Sequence, residues 1–208
     1  MKTRILPTIL AAGCLLFAGC LPESVNPLST PATSLIDGRF EGIYQQIDID
    51  HGANAERGYW HFHYRGASDG AKGVHRSTTW LEILGVGHES KSGLDITRYQ
   101  ALATKIAGHD YLSFMEVPKD GSKKQPAPYG FARYEVTWRG DLRIWLASES
   151  ALISAVKAGQ LRGKVTSSQW SSSVLLTDTT EHLAAFIAAG DPHKLFDEKP
   201  MTFRRLAR

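Results

Sequence analysis

Along much of this chain, apolar and polar residues alternate with a period of two. In Tyr59–Tyr64, Trp60, Phe62 and Tyr64 share one face, while Tyr59, His61 and His63 share the other. That is the pattern of a strand with one side buried. Ser77–Leu84 predicts a further strand, closed by Gly85 and Gly87, and Asp69-Gly70 marks a turn before it. The clearest unit is Ala132–Ala147. Tyr134, Val136 and Trp138 alternate with Arg133, Glu135 and Thr137; after Arg139-Gly140-Asp141, Leu142, Ile144 and Leu146 alternate with Arg143 and Trp145. This predicts a β-hairpin with a tight turn. Leu94–Val117 reads two ways. Ile96, Tyr99, Leu102 and Ile106 fit a loose helical stripe, whereas Gly108-His109-Asp110 reads as a turn between two strands, the reading we favour.

Two helices stand out against this background. Ser148 is placed to cap a helix running to about Ala158, with Gly159 ending it. Asp178-Thr179-Thr180-Glu181 resembles a capping box for Glu181–Ala189, followed by Gly190 and Pro192. Met201–Leu206 predicts a last strand. Leu21–Ser34, with Pro22, Pro27 and Pro31 among Ser, Thr and Asn, shows neither period and reads as a flexible tether. There is no internal repeat. The whole is mainly β, a β-rich α+β chain forming an antiparallel barrel or a strongly curved sheet with two short helices in its C-terminal half.

The N-terminus follows a different logic. Lys2 and Arg4 precede an apolar run from Ile5 to Ala18, and Phe17-Ala18-Gly19 leads into Cys20. The run of about 14 residues is shorter than the roughly 20 needed to span a bilayer, and its layout is that of a cleaved leader. Cys20 after these small residues resembles the lipobox of bacterial lipoproteins. The resemblance implies cleavage before Cys20 and acylation of its sulfur and new amino group, with two or three acyl chains giving a lasting membrane anchor. Cys14 is a weaker rival because the apolar run before it is shorter. Leu21 stands where an Asp would favour inner-membrane retention. In a Gram-negative cell the resemblance therefore implies an outer-membrane lipoprotein facing the periplasm. The predicted divisions are a leader over 1–19, a lipidated tether over 20–34 and one globular domain over 35–208.

Cleavage leaves 189 of 208 residues, enough for one domain with a sizeable core. Losing Lys2 and Arg4 leaves 22 basic residues against 21 acidic, a balance that argues against a nucleic-acid partner. Cys14 departs with the leader and Cys20 is committed to lipid, so the mature chain has no thiol for a disulfide or a nucleophile.

Phe40-Glu41-Gly42-Ile43-Tyr44 opens the first strand of the domain, and Phe203-Arg204-Arg205-Leu206 closes the last. Together they resemble the calycin (lipocalin-like) arrangement, in which a Gly-x-Trp near the first strand is covered by a basic side chain from the end of the barrel. The resemblance implies structural roles for Gly42, for Tyr44 in place of the Trp, and for Arg204 or Arg205. The segment Thr179–Phe186 and the closing Phe203–Leu206 are also similar to proteobacterial envelope lipoproteins, a likeness that brings no activity with it.

Candidate chemistry is sparse. His61 and His63, two apart on one strand face, are the best metal candidates, but a zinc site needs three or four ligands. His75, His88, His109, Glu89 and Asp110 would have to supply the rest. Simple alternation is the reading we favour for the pair. His88-Glu89 and His109-Asp110 set acid and base side by side, yet neighbours on a strand face opposite ways. There is no Gly-x-Ser-x-Gly elbow, and Gly85-Val86-Gly87 lacks the third glycine of a dinucleotide loop. Lys119, Lys123 and Lys124 belong to the polar stretch Pro118–Pro128, which reads as a solvated loop. No catalytic motif and no cofactor are expected. The chain reads as a lipid-anchored, non-enzymatic binding module for an apolar small molecule, or else as an accessory component of an envelope protein complex. A metal-dependent enzyme using His61 and His63 ranks third.

Overall fold

The computed structural model describes residues 21–47, 58–64, 79–89, 93–118, 127–168 and 171–207. Cys14, Cys20, His75, Lys119, Lys123 and Lys124 lie outside them, as does the Asp69-Gly70 turn. In chain order the strands are β1 (Glu23–Ser24), β2 (Gly42–Ile47), β3 (Tyr59–Tyr64), β4 (Trp80–Glu89), β5 (Gly93–Ile106), β6 (His109–Glu116), β7 (Gly130–Val136) and β8 (Leu142–Leu146). Helix α1 (Glu149–Lys157), strands β9 (Gly163–Ser167) and β10 (Ser172–Leu176), helices α2 (Thr180–Ala189) and α3 (Pro192–Leu195), and strand β11 (Met201–Ala207) follow.

Strands β2 to β8 and β11 form a closed eight-stranded antiparallel barrel, consistent with a lipocalin-like barrel. Seven strands meander in chain order. The chain then leaves the barrel for α1–α3 and the β9–β10 hairpin, and β11 returns between β8 and β2 to close it. Closure leaves no open sheet edge. The registers give the barrel two distinct ends. One carries the tight β5–β6 and β7–β8 turns, and β2 and β4 begin there; we call it the turn end. At the opposite end β3, β5, β7 and β11 begin.

The alternation in the sequence becomes the two faces of the wall. Phe62 and Tyr64 point inward and are buried, with Trp60 packed beside them. Leu142, Ile144 and Leu146 line the same interior. Leu94–Val117 is two strands, although the turn is Ala107-Gly108 rather than one centred on His109. The glycines at 85 and 87 do not close β4, which runs on to Glu89. Gly85 lies opposite Trp60 in the register, and a Cβ there would sit 2.8 Å from the indole. The glycine makes room for the ring instead of ending the strand.

A second core lies outside the β6–β8 wall. Tyr111 and Phe131 project outward and are covered by Leu152, Val174, Leu176, Leu183, Ile187, Leu195 and Phe196. Helix α1 begins where its cap predicts, whereas α2 starts at Thr180 with Thr179 as its cap, not with a capping box between Asp178 and Glu181. Ser148 Oγ accepts from the Ala151 amide and Thr179 Oγ1 from the His182 amide, each satisfying one orphan donor of a first turn. A third, one-turn helix, α3, was not expected. Trp145 docks into this layer with the Arg133 guanidinium 4.0 Å above its ring.

The flexible tether expected over Leu21–Ser34 is not observed. Pro22, Ser24, Leu28 and Ser29 are buried, and β1 runs parallel to β10. The Leu28 amide donates to Ser113 Oγ at 2.8 Å, and Leu35 bridges to Ala103. The packed domain therefore takes in residues 21–34 as well as those from 35 onward. Residues 21–34 have no period because they are pinned one at a time onto a surface made by distant segments.

Candidate functional site

The turn end is sealed by side chains. A single 3-10 turn, Gly38–Phe40, crosses it and drives Phe40 into the interior, fully buried. The Phe40 ring centroid lies 4.4 Å from that of Tyr134 and 5.9 Å from that of Phe62. Ala101 and Ala103, small inward residues of β5, belong to the same core as these rings.

A polar network closes over Phe40. Asp37 accepts from the Tyr134 hydroxyl at 2.8 Å and from Arg39 in a bidentate pair, and its own amide donates to the Tyr64 hydroxyl at 2.9 Å. Arg39 also reaches Asp110 at 2.8 Å, and Lys105 pairs with the same carboxylate. Burial alone would raise the Asp37 pKa, but the bonds from Arg39 and Tyr134 outweigh it and hold the carboxyl below its ordinary value. Burial pushes the Tyr64 hydroxyl up to about 12, and burial together with the charge of Asp37 pushes Tyr134 up as well. Internal bonds thus engage both carboxylates of this constellation.

Gly42, Tyr44 and Arg205 complete the seal. Tyr44 is fully buried, and the Arg205 guanidinium lies 5.1 Å from its ring centroid. Arg205 donates to the Tyr44 hydroxyl and to the carbonyls of Arg39 and Glu41, fastening β11 across the entry to β2. Its own amide donates to Asp141 at 3.1 Å. Gly42 has φ +152°, and a Cβ there would lie 2.6 Å from the Ala207 carbonyl, so only glycine fits this crossing. Of the two arginines, Arg205 covers the aromatic, while Arg204 faces out. The strand period explains the choice, because alternate residues of β11 point to opposite sides.

Above the seal the barrel is apolar and incompletely filled. Trp60, Phe62, Ile83, Tyr99, Leu112, Phe114, Ala132, Ile144, Leu146, Met201 and Phe203 line a cavity of about 40 Å³ in the half of the barrel away from the turn end. We call that end the cavity end. Trp60 stacks at 6.4 Å on Tyr99 and meets Phe203 edge-on at 5.8 Å. The indole N–H donates to Gln46 at 3.1 Å, which removes its one donor from the chamber. Phe114 lies over Gly130, where a Cβ would come within 2.6 Å of the ring. Two glycine–aromatic pairs across adjacent strands, Gly85 with Trp60 and Gly130 with Phe114, thus seat two of the rings of the lining. Inward alternation marks these aromatics in the sequence, but the seating glycines are recognisable only once the register is known. The space equals roughly three water-sized spheres, yet a water needs two to four polar partners, and this lining suits hydrocarbon.

His61 and His63 lie on the outer wall, as their alternation implies. Their rings stack at 4.8 Å, and His63 meets Glu82 at 3.2 Å. Burial, then the neighbouring His63, lowers the pKa of His61. Among the described residues no group of three or more His, Cys, Asp or Glu is placed to hold a metal ion. His109 and Asp110 diverge: Asp110 joins the seal and His109 is exposed. His88 and Glu89 end β4, opposite Leu94 and Gly93. Comparison with family models, curated proteins and solved structures finds no match to this chain.

Proposed function

We propose that this protein is a lipid-anchored envelope protein whose barrel takes the end of a slender apolar chain, such as an acyl tail, without catalysing its conversion. The observation that carries the reading is the wholly apolar lining of the 40 Å³ chamber above a sealed floor. The volume is far below that of a drug-sized ligand site, which runs to hundreds of Å³. A terminal stretch of roughly four methylenes suits it better, and at about 0.8 kcal/mol each the contact is worth about 3 kcal/mol. Met201, unbranched and adaptable, is the lining residue best able to yield to a longer chain. The lipobox-like Cys20 supports the membrane address, with the outer membrane, facing the periplasm, as the expected location in a Gram-negative cell.

Titration with straight-chain fatty acids of increasing length, followed by methyl NMR, tests the reading. Shifts should centre on Leu112, Ile144, Leu146 and Met201. They should be lost in Leu146→Phe, which fills the chamber, provided that variant melts like the parent. Absence of shifts at every chain length, or their persistence in the filled variant, overturns it. A second reading, an accessory role in an envelope complex, is favoured by the apolar residues exposed at the turn end: Trp138, 88% exposed, with Ile43 and Leu206. Photo-crosslinking from position 138 in intact membranes should then recover one discrete protein.

A further inference from the structure

The replacement of the expected tether by packed structure gives the chain that leads back to Cys20 a heading. Pro22 is fully buried, and Glu23 and Ser24 pair with Leu175 and Leu176 of β10. Ser24 also bridges Tyr129 in the antiparallel sense, each amide donating to the other's carbonyl at 2.8 Å. Tyr129 immediately precedes Gly130, where β7 begins at the cavity end and from which it runs toward the turn end. The antiparallel bridge therefore leads the residues before Ser24 toward the turn end. Cys20, four residues upstream, advances up to ~14 Å on that heading in an extended chain, against a length of about 20 Å for β7.

The turn end carries an apolar tip among outward cations. Trp138 stands 88% exposed in the β7–β8 turn, with the Arg139 guanidinium 4.6 Å from its ring. Leu206 and Ile43 are exposed beside it: the Arg205 amide donates to Asp141, which closes the same turn, and Ala207 is in register with Ile43. Charge is sorted by depth. Asp37 and Asp110 are only 11% and 14% exposed, while their partners Arg39 and Lys105 are each 52% exposed. An indole at the boundary, with cations around it to meet phosphate, matches the headgroup layer of a bilayer. Apolar residues are exposed toward the cavity end too, at Val25, Tyr59 and Ile96. The heading of the chain toward Cys20 selects between the two ends.

Resting on the lipid-anchor reading above, we propose that the turn end of the barrel lies on the bilayer that holds Cys20, with Trp138 seated among the lipid headgroups. The partner of this patch is a lipid surface and not a protein, because the anchor's chain and the patch address the same side of the domain. The cavity end then points away from that bilayer.

The test uses the processed, full-length protein in phosphatidylcholine vesicles that carry a headgroup-attached quencher. A fluorophore is placed at Leu206→Cys for the turn end, or at Val25→Cys or Ile96→Cys for the cavity end, all exposed positions. With Cys20 acylated, the introduced thiol is the one available for labelling. Quenching at 206 should exceed that at 25 and 96 several-fold, although 25 is much nearer Cys20 along the chain. Adding Trp138→Ala should bring the quenching at 206 down toward that at 96, and an unchanged value overturns the seating of Trp138. Equal quenching at the three positions, or stronger quenching at 25 or 96, in vesicle-bound protein overturns the orientation while leaving the anchor standing. No excess quenching at 206 in these vesicles, together with one discrete protein crosslinked from position 138 in native membranes, overturns the lipid contact in favour of a protein partner. An unacylated Cys20 in the mass spectrum of the membrane-extracted protein overturns the anchor reading itself, and this proposal with it.

Discussion

The two ends of the barrel solve opposite problems with the same wall. At the turn end, Phe40 fills the interior, and Asp37, Arg39, Asp110, Tyr134 and Arg205 satisfy one another above it. At the cavity end the wall carries rings and methyls only, and a space of about 40 Å³ remains. A buried polar group is costly unless its partners are complete, so the network holds one fixed arrangement. Apolar contacts are non-directional and tolerate a guest. The difference teaches that the floor is built for rigidity, while the space above it is available for binding.

Substitutions at the floor should break this contrast most strongly. Phe40→Ala should cost about 4 kcal/mol in denaturant unfolding, because the ring is fully buried between Tyr134 and Phe62. A loss below 1 kcal/mol would show that the floor is not structural. Arg205→Met should cost about 2–3 kcal/mol by removing charge-assisted bonds to three acceptors. Arg204→Met, on the outward face, should stay within about 0.5 kcal/mol. Equal effects at 204 and 205 would refute the assignment of Arg205 as the covering residue.

The floor should also set the pH limits of stability. Asp37 is held below its ordinary value of 3.8, so its contribution is complete above that value and is lost as pH falls through the lower folded one. Tyr64, raised from 10.0 to about 12, contributes fully below pH 10 and loses its contribution as pH rises toward 12. Asp37→Asn should flatten the acid limb of a stability–pH curve, and Tyr64→Phe the alkaline limb. Unchanged limbs would detach the network from stability. At the cavity end, Leu146→Phe should alter stability by about 1 kcal/mol or less while abolishing chain binding. The smallest effect is expected on the outer wall, where His61→Ala and His63→Ala should each shift stability by under about 0.5 kcal/mol and leave chain binding intact.

Much of the barrel was legible in the chain because a strand's two faces are written in consecutive residues. Tyr59–Tyr64 and most of Ala132–Ala147 state which side chains point inward before any partner is known, although Trp138, in phase with Tyr134 and Val136, lies in the turn and is exposed. Helix starts were legible to within a residue for a similar reason: Ser148 and Thr179 cap donors only three residues away. The lipobox-like segment is likewise a local pattern.

Only the tertiary structure decided the rest. Leu21–Ser34 carries no period, yet it is ordered by partners as far away as Ser113, Tyr129 and Leu176. The choice between Arg204 and Arg205 depended on which residue of β11 met Tyr44 across the closing seam. The chamber depended on which rings converged and on Gly85 and Gly130 lying opposite two of them. Local sequence fixes the direction of a side chain relative to its own backbone. What that side chain meets is set by register and closure, through contacts between residues as much as 166 positions apart, as for Arg205 and Arg39.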